Sequence, residues 1–150
     1  MPAIVTRRWR NACTIARLLP IYAALGVLER TRPIAKVAAW AWRRPTGHRR
    51  DHAEEQRVIG CVVKLARFVG AADRQCLRRS LLLYRELSRL GANPALCVGF
   101  RKRGDVTEGH AWVVVSGRPI GEGDWSSAGF ETALSFGVEG RFITPDAPLR

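Results

Sequence analysis

The sequence predicts an α+β domain in which helices come first and a small antiparallel sheet follows. Apolar residues recur at helical spacing over residues 53–69 and 77–90. After Pro94 the pattern changes to short runs of residues that favour strands. With 150 residues, 47% of them hydrophobic, the chain can bury a core of its own, which excludes a disordered tail.

The N-terminal third has the pattern of two helices, over residues 11–28 and 33–43. Pro20 interrupts the first helix and can kink it, whereas Pro33 suits the first turn of the second. The segment 43–51 is polar and charged and contains Pro and Gly, so it is the best candidate for a linker. We therefore expect a basic helical segment, 1–50, followed by a core domain, 51–150.

Charge is concentrated in that first segment. Residues 1–50 carry eleven basic residues and one acidic residue, which accounts for +10 of the net charge of +12. Such a surface can meet nucleic acid, anionic lipid or an acidic protein. An arginine-rich coding bias that only keeps the protein soluble explains the charge equally well.

The N-terminal apolar stretch follows Arg7, Arg8 and Arg10, and together they resemble the charged and apolar regions of a signal peptide. Its uninterrupted part, Leu18–Leu28, has 11 residues, fewer than the roughly 18 that span a bilayer. Arg17 precedes it, and no small-residue cleavage site follows it cleanly. We expect no membrane span and a cytoplasmic protein.

The next two helices are more clearly marked. One runs from about Ala53 to Val69 and ends at Gly70. The other has Asp73 as its N-cap and ends at Gly91.

Three strands follow. They are Leu96–Phe100, His110–Val115 and Arg118–Asp124, with a polar loop over 101–109. Ser116 and Gly117 indicate the turn between the last two strands. The last 25 residues have no clear pattern.

Cysteine and histidine spacing bears on metal binding and disulfides. The four cysteines are Cys13, Cys61, Cys76 and Cys97. They form no C-x-x-C pair, which excludes zinc-finger and thioredoxin-like motifs, and we expect free thiols. Cys61 and Cys97 lie among apolar residues and are predicted to be core. His48 and His52 are four residues apart, but no third ligand completes a metal site.

Cys76 is the candidate nucleophile. With Asp73 as N-cap it lies in the first turn of its helix, where unpaired backbone N–H groups and the helix dipole favour the thiolate. Its own N–H can also stabilise an oxyanion. The alternative is a small buried apolar side chain, as free cysteines usually are.

His110 opens a strand beside a long loop and is the candidate base for that thiol. A base needs an orienting acceptor. A three-residue turn with Gly117 in the left-handed region would place Glu122 opposite His110, with Asp124 one diagonal step away. A two-residue turn would send both carboxylates to the other face. The alternative is a surface histidine near two solvated acids.

Two motifs carry a family resemblance. Residues 76–81 read Cys-Leu-Arg-Arg-Ser-Leu, and residues 109–113 read Gly-His-Ala-Trp-Val, followed by Ser-Gly-Arg-Pro at 116–119. In this order and spacing they resemble the transglutaminase-like fold, whose papain-like core packs a helix carrying the cysteine on a small antiparallel sheet. More narrowly, they resemble the leader peptidases of lasso-peptide biosynthesis, over roughly residues 56–136.

The resemblance implies a Cys-His-acid triad and no cofactor. Cys76 would be the nucleophile and His110 the general base and acid. The family usually has Asp about a dozen residues after the His. Here Glu122 fits that spacing and Asp124 fits the residue type, with Glu122 slightly favoured.

Two neighbours of the triad are candidate substrate-binding residues. Trp112 can wall the site, although core packing explains it equally well. Gln75 lies near the oxyanion, although a solvent-facing helix residue is the simpler interpretation.

The resemblance also implies partners. The substrate would be a precursor peptide cut between leader and core. Because the chain begins almost directly with helices, leader recognition is expected from a separate protein. The freed core would pass to an asparagine-synthetase-like cyclase. Arg7, Arg8 and Arg10 are a candidate docking cluster for the partner–leader complex.

Two other functions compete with leader cleavage. The first is a non-catalytic basic module that binds nucleic acid or an anionic membrane, in which Trp9, Trp40 and Trp42 would touch the ligand rather than pack at an interface. The second is a transglutaminase-like enzyme that acts on another acyl substrate. The peptidase interpretation itself expects no nucleic acid partner.

Overall fold

Helices followed by an antiparallel sheet form the architecture, which confirms the predicted α+β class. A computed structural model describes residues 2–47, 49–70, 75–121 and 127–144. Its helices within these ranges are α1 (Pro2–Thr31), α2 (Ile34–Ala41), α3 (His52–Val69) and α4 (Gln75–Arg89). Its strands there are β1 (Ala95–Arg103), β2 (Val106–Val115), β3 (Arg118–Ile120), β4 (Glu131–Phe136) and β5 (Phe142–Ile143).

The sheet has the strand order β3-β2-β1-β4-β5, and every pairing is antiparallel. β1 and β2 form its centre and pair along their whole length, from Ala95↔Val114 to Arg103↔Val106. A short 3₁₀ helix, Val138–Gly140, joins β4 to β5. β4 and β5 fall in the C-terminal stretch whose pattern gave no prediction.

α1 is longer than the predicted helix 11–28, because it begins at Pro2 and continues through Pro20 to Thr31. α2 ends earlier than predicted, since Trp42 already has an extended backbone with ψ 142°. α3 begins where the side chain of Asp51 accepts hydrogen bonds from the N–H groups of Ala53 and Glu54, at 2.9 and 3.2 Å. That cap satisfies two of the free donors of the first turn. The predicted cap of α4, Asp73, lies outside the described residues.

The predicted loop over 101–109 is wrong, because both central strands extend through it. A two-residue turn at Gly104 and Asp105 joins Arg103 directly to Val106. Gly104 has a positive φ of 61°, which such a turn requires. The segment looked like a loop because its side chains are charged and solvated, and Arg101 reaches across the ladder to Glu108 at 2.6 Å.

The turn between β2 and β3 also differs from the three-residue loop assumed above. Val115 pairs directly with Arg118, so the turn contains only Ser116 and Gly117. Both have positive φ, 50° and 74°, as a tight hairpin of this length needs. The predicted third strand, 118–124, is described only as far as Ile120.

One main core lies between the helices and one face of the sheet. Each of the four helices contributes to it, as do the helix-facing strand residues Leu96, Val113 and Phe136. The opposite face of the sheet has a smaller buried cluster, formed by Ala95, Cys97, Trp112 and Val114. The main core thus draws on both sides of the predicted boundary at residue 50, and a division into two units stays a prediction.

Ion pairs join α1 to α4. Arg17 on α1 donates to Glu86 at 2.7 Å, and the Glu86 side chain is only 1% exposed. Arg78, in the first turns of α4, donates to Glu29 at the other end of α1. Because a buried carboxylate is costly without a partner, these contacts fix the position of α1 along α4.

Among the described residues, one stretch, Thr6–Thr31 of α1, is long and apolar enough to cross a membrane by length and composition alone. This stretch exceeds the predicted 11-residue run because its inner part, residues 11–28, carries a single charge, Arg17, and its other charges lie toward its two ends. The core helix of a soluble protein passes the same test. The buried side chains Leu18, Tyr22 and Leu25 place one side of α1 in the main core.

Candidate active site

Cys76 lies in the first turn of α4 and is partly exposed. It differs in this from Cys61 and Cys97, which are buried. Burial raises the pKa of both of those thiols, which keeps them protonated and unreactive near neutral pH. The structure therefore confirms the prediction that Cys61 and Cys97 lie in the core.

The N-terminal end of α4 is fixed to β2 by a buried hydrogen bond. The hydroxyl of Ser80 donates to the carbonyl oxygen of Ala111 at 2.8 Å. Ser80 lies one helical turn after Cys76, about 6 Å along the axis. Ala111 follows His110 directly. The bond therefore holds the first turn of α4 beside the part of β2 that carries the histidine.

The other end of α4 defines its direction. Leu87, near the C-terminal end of α4, lines the same pocket as Val115 at the end of β2. α4 therefore runs along β2 in the same direction. Toward the N-terminal ends of both elements, the Ser80–Ala111 contact is preceded by Cys76 on the helix and by Gly109 and His110 on the strand. Both candidates therefore lie at the same end of this joint.

The imidazole of His110 lies on the outer face of the sheet, the face opposite the helices. Its ring stacks on Trp112, with 5.8 Å between centroids and 17° between planes, and contacts Phe130 at 5.0 Å. His110 is only 6% exposed. Since Val113 and Val115 of the same strand face the helices, the imidazole of His110 and α4 lie on opposite faces of the sheet. A direct contact between Cys76 and His110 stays a prediction.

A glycine on β1 leaves the space that the ring of Trp112 and the backbone of β4 occupy beside His110. Gly99 pairs with His110, and a Cβ at Gly99 would collide with the carbonyl of Glu131 and lie 2.9 Å from Cη2 of Trp112. The β1–β4 register also shifts at this point. Sequence reasoning missed both Gly99 and Phe130. The signal for Gly99 was a lone glycine within a strand pattern, which marks a close backbone approach.

The third member of the triad is not decided by the register. Glu122 and Asp124 both lie outside the described residues. The two-residue turn removes the register argument that favoured Glu122, since the turn shifts the alternation of β3 by one position. β3 ends at Ile120, and Gly121 has a positive φ of 69°, so the alternation does not extend to either acid. Both stay candidates through the family resemblance.

The two candidate substrate-binding residues have different surroundings. Trp112 is buried in the outer cluster and also stacks on His110. Its role in binding substrate stays a prediction. The side chain of Gln75 lies against Gly70, where a Cβ would collide with its amide. Its role at an oxyanion stays a prediction.

The described residues contain no group of three or more His, Cys, Asp or Glu side chains that could hold a metal ion. His48 lies outside those residues. His52 is in an ion cluster, with its Nδ1 3.4 Å from Oε2 of Glu55, and Arg50 donates to the same buried carboxylate. That carboxylate therefore has its charge balanced by basic side chains.

The tryptophans of the N-terminal third have three environments. Trp42 packs against the main core. Trp40 is 37% exposed and lies between the guanidinium groups of Arg43 and Arg85, 5.6 and 5.0 Å from the ring centroid. Trp9 is 72% exposed. Interface packing thus explains Trp42 but not Trp9.

Comparison with known proteins identifies the family. The model of the transglutaminase-like superfamily matches residues 15–135, which include α4, the whole of β1 to β3 and both Cys76 and His110. The chain therefore belongs to the transglutaminase-like superfamily. No curated protein and no solved structure gave a match.

Proposed function

We propose that the protein is a cysteine peptidase that removes the leader from a ribosomally made lasso-peptide precursor. The observation that supports this most directly is the Ser80–Ala111 hydrogen bond, which joins α4, four residues after Cys76, to the strand residue that follows His110. A partly exposed thiol and an imidazole at one end of a helix–strand joint are the groups that acyl transfer to sulfur requires. Membership of the transglutaminase-like superfamily is consistent with this chemistry.

The proposed reaction begins with proton transfer from Cys76 to His110. The thiolate then attacks the carbonyl carbon at the leader–core junction, and the oxyanion accepts a hydrogen bond from the N–H of Cys76. His110 donates its proton to the departing amine of the core peptide, which leaves the leader as a thioester. Water, deprotonated by His110, hydrolyses that thioester and regenerates the thiol.

The aromatic walls around His110 have a role in this scheme. Trp112 stacks on the imidazole, Phe130 contacts it at a tilt, and together they restrict its rotation. A base held in one orientation loses less entropy when it reaches the reacting proton. In this proposal one acid, Glu122 or Asp124, orients the second ring nitrogen.

The peptidase acts in the cytoplasm on a precursor presented by a separate leader-recognition protein. It delivers the freed core to the cyclase that closes the macrolactam ring. The chain uses its own side chains as nucleophile, base and acid.

A cleavage assay read by mass spectrometry tests the proposal. The protein is incubated with the precursor peptide and the leader-recognition protein encoded beside it. We expect cleavage at one bond, which the Cys76→Ala variant loses. Cys13→Ala is the matched control, because it removes an exposed thiol from α1, away from α4, and it should cleave like the wild type.

Two outcomes would contradict the peptidase. If folded protein with its partner leaves the precursor intact, the binding module is favoured and the Cys–His arrangement is structural. If an added primary amine, rather than water, ends up on the leader, the protein is a transglutaminase-like acyl transferase. Equal cleavage by Cys76→Ala would exclude Cys76 as the nucleophile.

A further inference from the structure

α1 has an apolar side that nothing in the described chain covers. The exposed positions from Trp9 to Val27 recur at three- and four-residue spacing, so they lie on one side of the helix. This outer face of α1 consists of Trp9, Ala12, Cys13, Ala16, Leu19, Pro20, Ala23 and Val27. Trp9 is 72% exposed, Leu19 47% and Val27 62%.

The outer face is long and carries no charge. It extends over 19 residues of helix, from Trp9 to Val27, about 27 Å. Single exposed apolar side chains are ordinary, but a continuous strip of this length on a protein surface usually marks an interaction site. A helix with apolar residues on two opposite sides is normally buried on both. α1 is buried on only one.

The inner side of α1 excludes a transmembrane arrangement of this fold. Leu18, Tyr22 and Leu25 are at most 1% exposed and belong to the main core. Arg17 and Glu29 form ion pairs with α4. A spanning helix would have to break all of these contacts, whereas a helix lying in the plane of a surface keeps them.

The charges around the outer face restrict what can cover it. Arg7 and Arg8 are exposed near its N-terminal end, and Arg30 is exposed at its C-terminal end. The guanidinium of Arg10, which is also exposed, pairs with Glu54 of α3. These arginines belong to a segment with eleven basic residues and one acidic residue. A second copy of this chain is disfavoured, because it would bring two such segments together. Nucleic acid would pair with the arginines but would leave the apolar strip without a partner.

We propose that the outer face of α1 lies on an anionic lipid bilayer. The apolar strip enters the boundary between headgroups and acyl chains, and the arginines contact the phosphates, as in interfacial helices. Trp9, beside three arginines, suits the headgroup level, where amphipathic aromatic rings concentrate. The rest of the domain stays on the aqueous side, so the site at the N-terminal end of α4 keeps access to peptide.

Vesicle co-sedimentation of the full chain tests this, in the Cys76→Ala background so that the readout is independent of peptidase activity. We expect binding to mixed phosphatidylglycerol–phosphatidylcholine vesicles and little to phosphatidylcholine alone. Val27→Glu combined with Leu19→Glu should weaken binding by about tenfold or more. Val106→Glu is the matched control, since Val106 on the hairpin tip is also 62% exposed, and it should bind normally.

Cys13 supplies a second readout, because it is an exposed thiol on the outer face. Anionic vesicles should slow its alkylation by a bulky maleimide. Failure of the Cys76→Ala parent protein to bind anionic vesicles, or unchanged binding by its folded Leu19→Glu, Val27→Glu variant, would overturn the proposal. Cys13 protection by the leader-recognition protein but not by vesicles would also overturn it and would assign the outer face to a protein partner.

Discussion

At the scale of the residue, Gly99 is the position on which the histidine side of the sheet depends. It pairs with His110, and the carbonyl of Glu131 and the ring of Trp112 occupy the space that a Cβ would need. Gly99→Ala should therefore lower the free energy of unfolding by about 1–3 kcal/mol, since the backbone of β4 cannot move away as a flexible side chain could. The urea midpoint measures this.

Gly109 provides a matched control in the same ladder. It lies next to His110 on β2, and a Cβ there would have no atom within 4 Å. Gly109→Ala should change stability by less than about 0.5 kcal/mol. Equal losses in both alanine variants would mean that backbone freedom, and not the space around Trp112, accounts for the effect at Gly99.

The candidate residues were chosen from local signals, which said little about their surroundings. Cys76 was chosen from a helix-start signal, and it lies in the first turn of α4. His110 was chosen as the first residue of a strand, but it lies inside β2, which begins at Val106. The roles of both residues stay predictions. Phe130 could not be predicted, because it reaches His110 only through the fold of the C-terminal strands. The preference for Glu122 depended on a turn length that two local residues, Ser116 and Gly117, decide through their positive φ angles.

At the scale of the element, the position of α1 on α4 depends on a buried carboxylate. Glu86 accepts from Arg17 at 2.7 Å and from Arg89 at 3.2 Å. Arg17→Met removes one of these partners but keeps the aliphatic stem that packs on the surface. We expect a loss of about 1–3 kcal/mol in the free energy of unfolding by urea, because Glu86 stays buried with fewer donors.

A substitution at an exposed arginine tests whether the burial of Glu86 causes the loss of stability expected for Arg17→Met. Arg141 pairs with Glu139 at 2.8 Å, and these side chains are 79% and 44% exposed. Arg141→Met should cost less than about 0.5 kcal/mol, as exposed pairs generally do. If Arg17→Met costs no more than Arg141→Met, then Arg89 alone satisfies Glu86, and the α1–α4 contact depends on apolar packing.

Helices α3 and α4 were predicted more accurately than the central strands, and the reason is physical. The helices have one-sided apolar spacing, which is a local signal, so α3 and α4 were found nearly residue by residue. The hairpin 101–109 has charged side chains on both faces and no apolar alternation. Its strands form because Gly104 and Asp105 make the turn and Arg101 pairs with Glu108 across the ladder. Glycine followed by aspartate was the available signal.

At the scale of the whole molecule, two buried tyrosines lie in the helical layer, and one of them, Tyr84, joins α4 to the segment between β4 and β5. Tyr84 on α4 donates its hydroxyl hydrogen to the carbonyl of Gly137, and its oxygen accepts from the N–H of Gly140 at 3.1 Å. Tyr22 connects α1 to the main core. Burial raises the pKa of both phenols above their ordinary value.

The raised pKa values predict a loss of stability at high pH. Above a pH of about 10 the tyrosines of the unfolded chain lose their protons, whereas Tyr22 and Tyr84 in the folded chain keep theirs. The unfolded state then binds fewer protons, so the free energy of unfolding falls as the pH rises. Each tyrosine contributes a slope of at most about 1.4 kcal/mol per pH unit, and below pH 10 this contribution is constant.

Urea unfolding at a series of pH values between neutrality and about pH 11.5 measures this slope. Tyr84→Phe separates the two effects of that hydroxyl. The variant should be less stable than the wild type by about 1–3 kcal/mol at neutral pH, because Gly140 loses its acceptor. Its stability should nevertheless fall less steeply above pH 10, so the two curves converge. Parallel curves would mean that Tyr84 ionises as easily in the folded chain as in the unfolded one, and that other groups cause the alkaline unfolding.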